Sequence, residues 1–173
     1  PFLRELVNET GETAHIGVLR DREVVSIVNV ESTQAIRTPS TVGTRHPAHS
    51  SSLGKVILAF SDPAEVDKFL MGHTLEAFTR NTITSPAYFI HEIETIRRNG
   101  YAIDDEEREE GLRCIGAPVR SSSGEVIASV SVSGPIFRMT RDRIEPFARA
   151  VVATADKISA ALGYRPQLLR PTV

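Results

Sequence analysis

The chain has one cysteine, Cys114, no tryptophan and two methionines. A single cysteine excludes an internal disulfide framework and a cysteine-rich zinc site, and it suits a reducing, cytoplasmic setting. Long apolar runs are also missing. The longest, Val56 to Phe60, falls far short of the roughly 18–20 residues a membrane span needs. Charge of one sign is missing too. Lys and Arg number 20 and Asp and Glu 22, a formal net charge of −2, so bulk electrostatics do not pull the chain onto nucleic acid. No basic segment followed by an apolar core marks a signal peptide, and without one the sequon Asn8-Glu9-Thr10 reads as chance. Internal repeats and low-complexity linkers are absent. What is present is ordinary for one globular domain: 173 residues, 40% apolar and 24% charged, enough for a core without staples. The chain opens on Pro1 rather than Met, as expected of a fragment or processed product.

The hydrophobic pattern divides the chain. Phe2, Leu3, Leu6 and Val7 recur at helical spacing, and Gly11 breaks the run. From Thr13 to Glu31 the pattern is strand-like: Ala14, Ile16 and Val18 alternate, and Val24 to Val30 is rich in β-branched residues. Arg20-Asp21-Arg22 is the turn of this hairpin, and a third short strand is expected around Ile36. Pro39 to His49 reads as a loop. Ser50, Ser51 and Ser52 precede the apolar stripe Leu53, Val56, Ile57 and Phe60, a helix N-terminal signature. Asp62-Pro63 and Ser85-Pro86 open two more helices, the second burying Phe89, Ile90, Ile93 and Ile96. Short strands follow at Tyr101–Ile103, Leu112–Val119 and Glu125–Ser133, with Ser121 to Gly124 as a hairpin loop. A long final helix is expected from about Arg141 to Leu162. The order is that of an α+β fold with a mainly antiparallel sheet.

Two places have the makings of a binding site. In the strand Val126–Ser133, Val126, Ala128, Val130 and Val132 share one face, the core. Ile127, Ser129, Ser131 and Ser133 share the other. Pairing across the Ser121–Gly124 turn sets Cys114 near Ser131 and Ser133, with Asp104 where the preceding strand ends. Hydroxyls, one thiol and one carboxylate make a plausible floor for a small molecule; the plainer alternative is a solvent-facing sheet surface. The second place is the start of the serine helix. A helix N-terminus offers unpaired N–H groups and a positive dipole end, so it favours anions, and the three hydroxyls and Lys55 are further donors. A simple N-cap explains one serine, not the cluster.

Catalytic readings are thin. Ser52-Leu53-Gly54-Lys55 fits Ser-x-x-Lys, but the companion Ser-Asp-Asn and Lys-Thr-Gly motifs are missing. Gly54-Lys55 lacks the rest of a phosphate-binding loop, and His91-Glu92 has Thr95 where a zinc protease needs its second histidine. Cys114 and His49 pair as nucleophile and base only if folding joins them. The acidic run Asp104 to Glu110 lacks calcium-loop spacing; partners among Arg97, Arg98, Arg108 and Arg113 suit it better. The five histidines are scattered, so neither metal nor cofactor is expected.

Four blocks, in order, carry a family likeness. They are Pro47 to Lys55, Gly100 to Glu107, Gly111 to Val119 and Ser131 to Pro135. On them the chain resembles the C-terminal effector-binding domain of IclR-type (isocitrate lyase regulator) bacterial transcriptional regulators, from about Thr13 to Gly163. The resemblance implies a GAF-like fold, a central antiparallel sheet flanked by helices with a long C-terminal helix. It implies that residues 1–11 end a linking helix and 12–173 form a single effector-binding domain, which assembles as a homodimer or tetramer. DNA binding would belong to a winged helix-turn-helix domain outside this sequence, and no membrane partner is implied. The family's effector-contacting positions fall on Ser52, Leu53, Asp104, Cys114, Ser131 and Ser133. Members that take very small oxoacids tend to carry Gly-Ala where this chain has Ser52-Leu53. A larger carboxylic acid is therefore expected, with Ile127 as well as Leu53 as apolar surface. The expected role is sensing, not catalysis. The alternatives are a small hydrolase or transferase using Ser52 or Cys114, and an oligomerisation module without ligand.

Overall fold

The computed structural model describes residues 1–39 and 41–166. Residues 167–173, assigned above to the effector-binding domain, lie outside the described residues, as does Ser40 of the Pro39–His49 loop. Helix α1 (Phe2–Thr10) ends at Gly11 in the left-handed conformation, φ 75°. It buries Leu3, Leu6 and Val7, the stripe its spacing predicts. Strands β1 (Thr13–Arg20) and β2 (Glu23–Val30) form the expected hairpin.

The third strand is not at Ile36, which is exposed. Strand β3 is Arg45–Pro47, paired with the start of β2, inside the stretch read from sequence as a loop. Ile36 is a lone apolar residue among polar ones; Arg45–Pro47 has no apolar alternation to announce it. A short 3-10 turn, Ala48–Ser50, leads into α2 (Ser52–Ala59). Helix α3 (Pro63–Leu70) starts with the Asp62 carboxylate accepting the Ala64 N–H at 2.8 Å. Helix α4 (Pro86–Asn99) buries Phe89, Ile93 and Ile96, but Ile90 faces solvent rather than the core. Strands β4 (Ala102–Asp105), β5 (Leu112–Arg120) and β6 (Val126–Pro135) form a meander, and α5 (Ile144–Ala161) closes the fold.

The six strands form one antiparallel sheet in the order β3-β2-β1-β6-β5-β4. One face carries Ala14, Ile115, Ala117, Val119, Ala128, Val130 and Val132, and packs on α1 and α5 through Leu6, Phe147 and Val151. The other face receives α2, which in turn packs on α3 and α4 through Val56, Leu58, Phe69, Phe89 and Ile93. The fold is thus α+β, with a helical layer on each side of the sheet.

Strict alternation in β6 fails at one point. Val119 pairs with Ala128 but Arg120 pairs with Val126, so Ile127 is an extra residue at a bulge. Val126 leaves the predicted core face and packs beside Leu53 and Ile57. Ile127 points to solvent and does not line the cavity described below.

Candidate functional site

Directly paired residues of an antiparallel sheet point to the same face. Asp104 pairs with Cys114, Cys114 with Ser133, and Ser133 with Thr13. The next row runs Gly116, Ser131, His15. Both rows are on the face that receives α2, and their small side chains leave room between sheet and helix.

Two glycines set how close the helix comes. A Cβ on Gly116 would sit 3.0 Å from the Ser52 carbonyl oxygen, and one on Gly54 would overlap the backbone of Ala48. Ser129 donates from its hydroxyl to the Leu53 carbonyl at 2.9 Å, tying the first turn of α2 to β6. Ser51 is the N-cap and its hydroxyl accepts the Gly54 N–H at 3.1 Å, while Lys55 N–H bonds to the Ser51 carbonyl. The Ser52 and Leu53 N–H groups, first in the helix, have no intrahelical acceptor.

Between helix and sheet is a cavity of about 380 Å³. Ser52, Leu53, Asp104, Cys114, Ser131 and Ser133 all line it. His15, Ser26, His46, Thr38, Arg108 and Leu112 complete much of the wall. Asp104, near the end of β4, is buried in the wall at 2% exposure. Its Oδ1 accepts N–H bonds from Glu107 (2.8 Å) and Arg108 (3.3 Å), and its carboxylate faces the Cys114 thiol. The hydroxyls of Ser26 and Thr38 are buried without a partner among the described residues, so polar groups of the wall await something to bond.

Lys55 does not serve the anion site suggested for it. It is fully buried and turned away, bonded to Glu107, to Glu92 at 3.0 Å and to the Ile103 carbonyl at 2.6 Å. Burial alone would lower its pKa, but attraction to Glu107, Glu92 and Asp104 outweighs that and raises it. This ionic cluster ties α2 to α4, to β4 and to the loop that follows β4.

The titratable groups of the wall are tuned mainly by burial. Burial pushes Asp104 up to about 6, against the pull of Lys55 and the two N–H bonds. It brings His15 down to about 4, helped by nearby His46. His46 is lowered by burial and by Arg108, against Glu23. The Cys114 thiol is driven well above its ordinary value by burial and by Asp104, which leaves it protonated and a poor nucleophile. His49 bonds to the Glu76 carbonyl at 2.9 Å and does not line the cavity, so no Cys–His pair forms. Lys55, engaged by two carboxylates, is no base for Ser52. Among the described residues no three histidine, cysteine or acidic side chains converge on a metal position, and no helix is long and apolar enough to cross a membrane.

Sequence reasoning missed His15, Ser26, His46 and Arg108. His15 was findable: the alternation that buries Ala14 and Ile16 on one face puts His15 on the other, with Ser131. Ser26 needed the β1–β2 register, which slips between Ile16 and Gly17. His46 is in the three-residue strand β3 and Arg108 is in the loop after β4, and neither stretch is long enough or regular enough for periodicity to read.

A sheet with helices on both faces, and between sheet and helix a cavity lined by serines and apolar groups under a helix N-terminus, is the architecture of a small-molecule-binding domain. The family profile described as the C-terminal part of bacterial transcriptional regulator IclR matches residues 1–160, and the chain belongs to that family. The transcriptional regulator BhcR of Paracoccus denitrificans is 39% identical over 165 residues, 95% of this chain and 59% of BhcR; the chain thus spans about three-fifths of this relative. The crystal structure of Thermotoga maritima IclR superposes with a TM-score of 0.89 at 37% identity, covering 94% of this chain and 66% of that one. The inducer-binding domain of an Acinetobacter PobR double mutant, in complex with 3-hydroxybenzoic acid, superposes with a TM-score of 0.80 at 28% identity, covering 91% and 93%. The family is one of transcriptional regulators.

Proposed function

We propose that this domain senses a small organic acid and passes its presence to attached DNA-binding domains by population shift. The observation that carries the reading is that Ser52, Leu53, Asp104, Cys114, Ser131 and Ser133 line one cavity at the N-terminus of α2. The acid's carboxylate is taken by the Ser52 and Leu53 N–H groups and the Ser52 hydroxyl, where the helix dipole favours negative charge. Ser131, Ser133 and Ser26 bond the rest of the molecule, and Leu53 and Leu112 pack on its carbon skeleton. Asp104 positions its loop and the Cys114 thiol and does not face the acid as a bare charge. The relation to PobR, crystallised with a hydroxybenzoic acid, supports this ligand class.

A ligand that binds one arrangement of the domain better than another biases the equilibrium by that differential affinity. On this reading residues 1–11 lead in from a winged helix-turn-helix domain, the domain assembles as a homodimer or tetramer in the bacterial cytoplasm, and DNA is contacted only through the N-terminal domain. Calorimetry tests it, using a screen of carboxylic acids and their primary amides. The free acid should bind and its amide should bind at least tenfold more weakly. Ser52→Asp should abolish binding by placing like charge at the carboxylate, whereas Ser52→Ala should cost about 1–3 kcal/mol for one lost hydrogen bond. Equal affinity for acid and amide overturns the assignment.

A further inference from the structure

The cavity has a second place that favours negative charge. Arg108 lines it from the loop after β4. Its guanidinium carbon sits over Phe78, 4.2 Å from the ring centroid, a cation–π contact that restrains the side chain without using its N–H donors. Its backbone is held by Asp104, and the loop is held by Thr82 and Thr79, whose hydroxyls donate to the Glu107 and Glu106 carbonyls at 2.6 Å each. The guanidinium is therefore presented on a supported frame.

What it lacks is an anion. Other arginines of the chain are paired: Arg113 and Arg141 share Asp105, and Arg138 is engaged by Glu12. Among the described residues no carboxylate lies within ion-pair distance of Arg108, and its guanidinium makes no hydrogen bond. The groups it acts on are basic, His46 and His49, whose pKa values it lowers. Glu109 also lines the cavity, but it is solvent-exposed and does not reach Arg108. A half-buried arginine with a planar donor edge, basic neighbours and no counter-charge is built for a bidentate anion.

We infer that Arg108 reads a second carboxylate, so that the effector is a dicarboxylic acid spanning the cavity from the α2 N-terminus to Arg108. This deepens the organic-acid reading and rests on it. A volume of about 380 Å³ is at the small end of ligand pockets, which suits a compact diacid. A monoacid would satisfy the helix end and leave Arg108 without a partner.

The test uses matched probes on the full chain: adipate against hexanoate, glutarate against valerate, and isophthalate against benzoate, by calorimetry. At least one diacid should bind ten times or more tighter than its monoacid. Arg108→Gln should bring that ratio down towards one, and Arg108→Lys, which keeps the charge but loses the fork, should fall between. Circular dichroism and thermal melts confirm that both variants are folded. Monoacids that bind as tightly as their diacids, with Ser52→Asp still abolishing binding, would overturn the role of Arg108 and leave the sensing of an acid standing. A diacid preference that survives Arg108→Gln would also overturn it. If no acid of either series binds, both readings fall together.

Discussion

Ser129 and Leu53, 76 positions apart, are joined by a 2.9 Å hydrogen bond from the serine hydroxyl to the leucine carbonyl. The bond is fully buried, and it fixes the first turn of α2 above the sheet face that carries Ser131 and Ser133. The N–H groups of that turn are therefore aimed by a contact made from the sheet, not by the helix alone. Ser129→Ala removes the donor and leaves the Leu53 carbonyl buried. It should lower stability by about 1–3 kcal/mol in urea denaturation. Effector affinity should fall as well, although Ser129 does not line the cavity. Loss of stability with unchanged affinity would show that the helix end is positioned without this bond.

The glycines under α2 make a steeper prediction. At Gly54 an added Cβ would fall on the Ala48 backbone, which no rotamer change can move aside; at Gly116 it would press on the Ser52 carbonyl at 3.0 Å. Gly54→Ala should cost about 3 kcal/mol or more, at the upper end of overpacking penalties. Gly116→Ala should cost less and act mainly by lifting Ser52 and Leu53 off the sheet. Thermal melts with and without effector separate the two: Gly116→Ala should lose more of the ligand-induced stabilisation than of the intrinsic stability.

The fold was largely legible in the sequence because its elements repeat a simple period. The α1 stripe, the β1–β2 hairpin, the Asp62 and Ser85 helix starts and the final helix all announce themselves by spacing and capping. Of the cavity residues, Cys114, Ser131 and Ser133 were legible for a related reason: a strand with serines on every second position, next to a strand carrying Cys114 and Gly116, shows a small polar face. Ser52 and Asp104 followed from the helix start and the strand end, and Leu53 from the family likeness alone. Chemistry set by distant neighbours was not legible. Lys55 follows three serines and reads as a donor at the helix start, yet one turn along it points the other way, into Glu92 and Glu107, residues 37 and 52 positions further on. The β6 bulge that turns out Ile127, and the exposure of Ile90, likewise depend on register and packing that no local pattern encodes.

Lys55 is fully buried and its charge is balanced by Glu107 and Glu92. Lys55→Met removes the cation and strands a buried carboxylate, which should cost about 3–5 kcal/mol. The double variant Lys55→Met with Glu107→Leu removes the stranded group as well and should recover most of that loss. If the double variant is no more stable than the single one, the cluster is not held by the ion pair but by the packing of the lysine stem.

His15 gives the pH prediction. Its pKa is about 4 in the folded protein against an ordinary 6.5, because burial excludes the imidazolium and nearby His46 repels it. A base whose folded pKa is depressed contributes stability that is complete above the unfolded value and is lost as pH falls through the folded one. The His15 contribution is therefore intact above pH 6.5 and disappears progressively towards pH 4. A shift of this size corresponds to about 3 kcal/mol at most. Asp104, raised to about 6, acts with the opposite sign over part of the same range, so the wild-type curve alone does not isolate the histidine. The difference between wild type and His15→Gln does. Measured by denaturant unfolding from pH 4 to 7.5, wild type should lose stability relative to the variant as the pH drops, with the steepest change below 6.5. A difference that stays flat across that window would mean that His15 keeps its proton affinity on folding and that the wall beside Ser131 is wetter than its burial indicates.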